Sequence, residues 1–423
     1  MDRNSIIGLV LIFAIVVGSF FLNRPSEEEI LKQKKFEDSI ALVKKQQDSI
    51  FKAKEAVAAN EVKSVTPDSS ISMQSDSSLI SSKFGVFAPA TLGENKTYTI
   101  ENELIKVYLS SKGGAPVKVE LKEYKRHGAA ENTPLELFND KESDFSIRFA
   151  TNDNRQINSS DLFFDSKLEN VTLNGDSTQI ELISKINDNQ FIKQTYTLRK
   201  GSYLVGWDLN LVGLDQLLSA TTRYLLVDWK IELPLQEKEI EAEQKVSTVY
   251  FRSFDEEVDY LSETKYTENK LNYAVNWVSF KQQYFNSTLI ARNFKGFEDM
   301  TVASEEPVST GHIKTLKTNF VLPFNFGSNE LYKSDFYFGP NKYDILDGVD
   351  VGLERIIPLG WGIFRWANQY LVIPIFTFLT DHFNNYGLVI FLLTLIMKTL
   401  LFALVYKSFL SSTKMRLLKP EME

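Results

Sequence analysis

The chain has 423 residues, 43% hydrophobic and 24% charged, with a formal net charge of −8. That is enough for one large soluble domain plus membrane segments, and the mild acidity with no basic face argues against direct contact with nucleic acid. The absence of cysteine excludes disulfides, thiol catalysis and cysteine-ligated metal. The three histidines, His127, His312 and His382, stand too far apart in different contexts for ligand spacing. They are expected on the surface or in loops, with no cofactor or metal.

Residues 5–22 are an apolar run of a length that suits a membrane span. Asn23-Arg24-Pro25 and then Glu27-Glu28-Glu29 follow without an A-x-A-like cleavage site, so residues 1–24 are expected to form an uncleaved signal anchor. Residues 26–60 are rich in Lys, Glu and Gln. Ile40, Val43, Ile50 and Val57 fall near heptad spacing, but Gln47 and Lys54 interrupt the seam, which predicts a solvated stalk rather than a strong coiled coil. Residues 64–82 are dominated by Ser and Asp and read as a flexible linker, so stalk and linker together occupy 25–83.

From Phe84 the hydrophobic period changes to two. Alternation at 97–100, 105–109, 117–121, 145–149, 180–182, 191–198, 203–211, 225–231, 313–316 and 319–322 predicts half-buried strands. Lys112-Gly113-Gly114 and Asn174-Gly175-Asp176 punctuate them as turns. The expected fold for residues 84–340 is a large antiparallel β-sandwich. A linking helix is expected over 343–354, and an amphipathic helix over 359–380, the two occupying 341–383. In the latter, Arg365, Asn368 and Gln369 share one face, Trp361, Trp366 and Tyr370 suit a headgroup region, and Pro374 should introduce a kink. A third membrane span is the rival reading of that stretch.

Residues 386–406 are almost wholly apolar and long enough to cross a bilayer core, so a second transmembrane helix is expected within 384–407. One full charge interrupts them. An ammonium such as Lys398 near mid-membrane costs roughly 2.5–3.5 kcal/mol. It lies about 13 Å of helical rise from Lys407, about twice the reach of a lysine stem. A polar pocket within the membrane, with Lys398 as its fixed charge and Thr394 one turn away, is the sharper reading; snorkelling with the help of local water is the plainer one. Lys407, Lys414, Arg416 and Lys419 follow in 408–423, and the positive-inside rule then puts that end in the cytoplasm and the β domain outside.

No phosphate loop, H-E-x-x-H, G-x-S-x-G or EF-hand pattern occurs. Asp255-Glu256-Glu257 reads as a solvated turn, and Asn286-Ser287-Thr288 matches a glycosylation acceptor only at the level of chance. No convergent His and carboxylate groups mark an enzyme.

The order of anchor, stalk, outer β domain, interfacial helix and charged span resembles the Gram-negative YidC-type membrane protein insertases. Local matches carry the resemblance: Trp277 to Phe285 is similar to the family's W-x-x-x-x-Q-Q-Y-F stretch, and Tyr337-Phe338-Gly339-Pro340 to its aromatic-x-G-P segment. Gly360-Trp361, Asn385-Tyr386-Gly387 and Lys414-Met415-Arg416-x-Leu418-x-Pro420 follow in the family's order. The resemblance implies a supersandwich-type periplasmic domain and an inner-membrane location. It implies insertion of nascent membrane proteins without covalent catalysis, through a polar groove to which Lys398 and Thr394 contribute. Its implied partners are nascent chains, the Sec translocon, the ribosome and membrane lipids, with Lys407, Lys414, Arg416 and Lys419 as contacts on the cytoplasmic side. The family usually carries Arg where this chain has Lys398, which keeps the charge but not the planar fork. The chain stops within the first cytoplasmic region, whereas family members continue through further membrane helices that complete the groove, so a fragment or a truncated gene product is expected. The rival is a membrane-tethered periplasmic carbohydrate-binding β-sandwich.

Overall fold

The structure is a computed structural model that describes residues 79–418, apart from 131–132, 220–222, 255–257 and 326. The side chains of 403–404, 407–408, 411–412 and 414–418 also fall outside the description. The expected signal anchor, the stalk, most of the linker, the acidic turn at 255–257 and Lys419 therefore lie outside the described residues, as do the side chains of Lys407, Lys414 and Arg416.

Among the described residues, nineteen strands form three sheets. Pairing is antiparallel except between Thr97–Glu101 and Asn170–Thr172. The eight-stranded sheet runs Val258–Tyr260, Thr248–Ser253, Val275–Lys281, Phe285–Ala291, Asn329–Pro340, Leu204–Val212, Gln190–Arg199, Ser177–Asn187. The six-stranded sheet runs Thr267–Leu271, Glu298–Glu305, His312–Pro323, Tyr224–Pro234, Ser143–Ala150, Gln156–Asn158. The five-stranded sheet runs Leu135–Phe138, Pro116–Leu121, Ile105–Ser110, Thr97–Glu101, Asn170–Thr172.

Alternation does what its period requires. In Gln190–Arg199 the even positions Ile192, Gln194, Tyr196 and Leu198 are buried, and the odd ones from Lys193 to Thr197 are not. Inward aromatics then join the layers: Trp229 stacks on Phe280 at 4.2 Å, and Phe145 meets Trp207 edge-on at 5.1 Å, both across the six- and eight-stranded sheets. Phe138 of the five-stranded sheet meets Phe338 of the eight-stranded one at 5.6 Å. Each such pair adds about 0.5–1.5 kcal/mol beyond its buried area. Gln194 is a polar joint in the same layer. Its amide donates to Gly113 O at 3.1 Å and its carbonyl accepts from Trp207 Nε1 at 2.9 Å and the Tyr196 hydroxyl at 3.1 Å.

The structure corrects the sequence reading in four places. Residues 313–316 and 319–322 belong to one strand, His312–Pro323. Strands at Val275–Lys281 and Phe285–Ala291 carry no alternation because nearly every position is buried, as expected when a central strand is covered on both faces. The linking helix is two pieces, Tyr343–Asp347 and a 3₁₀ turn at Leu353–Ile356, since Asp350 and Gly352 between them adopt positive φ of 59° and 70°. The linker's end is helical from residue 79 and runs into the 3₁₀ segment Gly85–Thr91, whose Phe87 is fully buried against Phe149.

Beyond the sheets, helical backbone continues through Ile363–Ala367, a π turn at Asn368–Val372 and Ile373–His382. Pro374 cannot donate to the carbonyl of Tyr370, and the widened turn lies just before it. The final helix, Tyr386–Leu418, has 33 residues and is unbroken, about 50 Å long. Among the described residues no helix is long and apolar enough to cross a membrane, the uninterrupted described part of this one being 386–402.

Candidate functional site

The site is the end of the β domain where the chain passes to its helices. The stretch Trp277 to Phe285 and the segment Tyr337 to Pro340 meet there, because Phe285 pairs with Pro340 and Asn286 with Gly339. Trp277 is fully buried and its Nε1 donates to Val351 O at 3.0 Å, a carbonyl that also accepts from Arg252. Gln282 donates from its side chain to Pro234 O at 2.9 Å, and Asn341 donates to Gln282 O at 2.9 Å. A Cβ on Gly339 would sit 2.9 Å from the rings of Tyr203 and Tyr337, so only glycine fits. These residues lock the exit of the chain. Asn286, in the glycosylation match, is 1% exposed and bonded to Asn341, which removes it as an acceptor.

Gly360 and Gly362, at φ of 86° and 55°, turn the backbone on either side of Trp361. From here the apolar side chains face outward. Trp361 is 80% exposed, and Ile363, Phe364, Trp366 and Tyr370 are all exposed. The polar Asn368 and Gln369 are half-buried, and Asn368 donates to Leu359 O at 2.9 Å. Arg365 is exposed, so of the three polar residues assigned to one face only Asn368 and Gln369 are partly covered. Such an inverted helix exposes its large apolar surface to whatever surrounds it.

Arg365 lines a cleft of about 310 Å³ with Val246, Tyr250, Val258, Tyr260, Glu263, Lys281, Arg355 and Pro358. Tyr250 and Tyr260 stack at 4.8 Å on one wall. Lys281 Nζ lies 5.3 Å from the Tyr250 ring, donates to Val246 O at 2.9 Å and stands 4.0 Å from Glu263 Oε1. Burial pushes the Lys281 ammonium below its ordinary pKa, and the Glu263 charge opposes that. Behind it, Lys314 donates to Ser247 O at 2.6 Å and Glu263 O at 2.7 Å. Desolvation brings its pKa down to about 8, against the pull of Glu263. None of Tyr250, Lys281, Lys314 or Arg355 stood out in the sequence. The usable signal was Lys281 and Lys314 at inward positions of strands.

The final helix is capped by Asn385, whose Oδ1 accepts from Leu388 N at 3.2 Å. This explains the residue type that opens it. Thr394 and Lys398 fall one turn apart on this continuous helix, and Thr394 Oγ1 donates to Ile390 O at 2.8 Å. Lys398 is exposed, with no hydrogen bond or ion pair among the described residues. His312, expected at the surface or in a loop, instead opens a strand with Nε2 2.8 Å from Glu142 Oε1. No group of His, Asp and Glu among the described residues could hold a metal ion.

Residues 97–374 match the family described as YidC periplasmic domain, and 378–423 match the 60Kd inner membrane protein family. Proteins named membrane protein insertase YidC are similar along the whole chain. The one from Parabacteroides distasonis is 34% identical over 433 residues, covering 100% of this chain and 66% of the relative. The one from Bacteroides fragilis is 31% identical over 430 residues, covering 100% and 65%. The chain thus spans about two-thirds of the length of the curated relatives it matches. Among solved structures, a putative aldose 1-epimerase from Escherichia coli K12 aligns with 58% of this chain at 10% identity and a TM-score of 0.35. By the two family matches and by relatives similar from end to end, the chain belongs to the YidC family of membrane protein insertases.

Proposed function

We propose that this protein assists nascent proteins into the bacterial inner membrane as a non-enzymatic insertase. The observation that carries the reading is similarity along all of the chain to relatives named membrane protein insertases. That name also favours it over a tethered carbohydrate-binding sandwich. In this reading residues 1–24 anchor the chain, 25–83 form stalk and linker, and 84–340 form a periplasmic domain. Residues 341–383 link to and lie along the outer headgroups, 384–407 span the bilayer, and 408–423 begin the cytoplasmic region. Nascent membrane proteins are the substrates, and the Sec translocon and ribosome are the partners.

The mechanism follows from charge. A carboxylate entering lipid costs several kcal/mol, and a fixed cation beside its path lowers that cost. Lys398 supplies the cation and Thr394 a hydroxyl on the same helical face, while the client's apolar segment moves into lipid. Exposed Trp361, Trp366 and Tyr370 suit the headgroup region, where amphipathic rings are favoured. The test is complementation by the whole gene product in cells depleted of their own insertase. Lys398→Arg should sustain growth, and Lys398→Ala or Lys398→Glu should slow insertion at equal protein level, most for clients with acidic translocated tails. Normal insertion of such clients by Lys398→Ala would sink the electrostatic role.

A further inference from the structure

We propose that the cleft between Lys281, Arg355 and Arg365 is a binding site for the phosphate of an anionic phospholipid headgroup, which seats the β domain on the membrane. The inference rests on the reading that the segment from Trp361 to Tyr370 lies at the headgroups.

Charge comes first. Three cations line the cleft against one carboxylate, Glu263, and a second, Glu354, lies 3.9 Å from Arg355 Nε. Glu263 is already engaged: its Oε1 is 3.3 Å from the Tyr250 hydroxyl and 4.0 Å from Lys281 Nζ. Arg365 forms no ion pair among the described residues. An excess of positive charge with one guanidinium uncommitted is suited to a phosphate, which accepts bidentate hydrogen bonds from that planar fork. The same charge rejects a bare choline cation, despite the tyrosine wall.

Position decides the source of the phosphate. The cleft spans two elements: Tyr250, Tyr260 and Lys281 come from an edge of the eight-stranded sheet, and Arg365 comes from the helix whose neighbours Trp361, Phe364 and Trp366 are exposed. A headgroup held there leaves its acyl chains beside that apolar strip, which a free anion does not use. Basic pockets at a membrane surface select anionic lipids in this way.

The test uses the full protein in detergent, titrated by calorimetry with dihexanoyl-phosphatidylglycerol, dihexanoyl-phosphatidylcholine, inorganic phosphate and a Glu-rich peptide. The phosphatidylglycerol should bind, the phosphatidylcholine should bind at least about tenfold more weakly, and Arg355→Gln/Arg365→Gln should lose about tenfold or more in affinity for the former. Arg355→Lys/Arg365→Lys, which keeps the charge but not the fork, should bind more weakly than the wild type yet clearly better than the Gln pair, which separates charge from misfolding. Inorganic phosphate binding as tightly as the lipid, tighter binding of the acidic peptide, or no effect of the Gln pair would each overturn the proposal. The interfacial reading is tested separately by brominated phosphatidylcholine in nanodiscs. Trp207, Trp229 and Trp277 are buried in the β domain, so quenching reports Trp361 and Trp366. Quenching without lipid selectivity removes only the headgroup site, and no quenching removes the interfacial reading beneath it.

Discussion

Replacing Gln194 with Leu tests whether the sheets are joined by polar contacts or by apolar burial alone. The side chain is 1% exposed and makes three hydrogen bonds, to Gly113 O, Tyr196 and Trp207. Leu has similar bulk but leaves Trp207 Nε1 without its acceptor and Gly113 O without its donor, whereas the Tyr196 hydroxyl still reaches Gly114 O at 2.8 Å. Two stranded buried groups cost about 1–3 kcal/mol each. The added apolar burial returns about 1–2 kcal/mol. The net loss is therefore about 3 kcal/mol, or a fall in melting temperature of about 6–12 °C for a domain of roughly 250 residues. Thermal melts followed by tryptophan fluorescence and far-ultraviolet circular dichroism measure it. Tyr196→Phe, which gives up the Gly114 contact, serves as a milder companion at about 1 kcal/mol. A Gln194→Leu protein that melts with the wild type, or above it, would show that the polar joint adds nothing that packing does not already supply.

Three further outcomes follow from the same structure. Lys314 has a folded pKa of about 8 against an ordinary 10.5, so between these values the unfolded chain binds more protons and stability rises with pH. The stability difference between wild type and Lys314→Met should be flat below pH 8 and grow across that window, and a flat difference throughout would contradict the assignment. Gly213→Ala places a Cβ 2.5 Å from Asn189 O at φ 65°, and should cost about 2 kcal/mol or more in urea unfolding; an unchanged midpoint would refute the turn geometry. These 423 residues hold no cysteine, so single replacements report topology directly: an impermeant maleimide should label Asn189→Cys in intact spheroplasts, and Glu421→Cys only after permeabilisation. Labelling of both from outside would favour a third span at 359–380.

Local pattern determined much of the β domain. Where a strand has one covered face, its two-residue period is written in the sequence, as in residues 191–198 and 225–231. Gln194 falls at an inward position between Ile192 and Tyr196, but its part as a polar joint exists only once Gly113 and Trp207 are folded beside it. The capping Asn385 and the glycines around Trp361 are local, because one residue's backbone freedom or one side-chain acceptor suffices for each. Tertiary structure decided the rest. Val275–Lys281 and Phe285–Ala291 lost their alternation because neighbouring layers cover both faces. Asn368 is held by Leu359 O, which accepts from its amide, and a helical wheel cannot know that. The cleft joins Lys281 and Arg365, 84 positions apart, through a sheet edge and a helix that meet only when the chain folds. No periodicity encodes such a meeting, since burial and charge at one position then depend on a surface supplied from far along the chain.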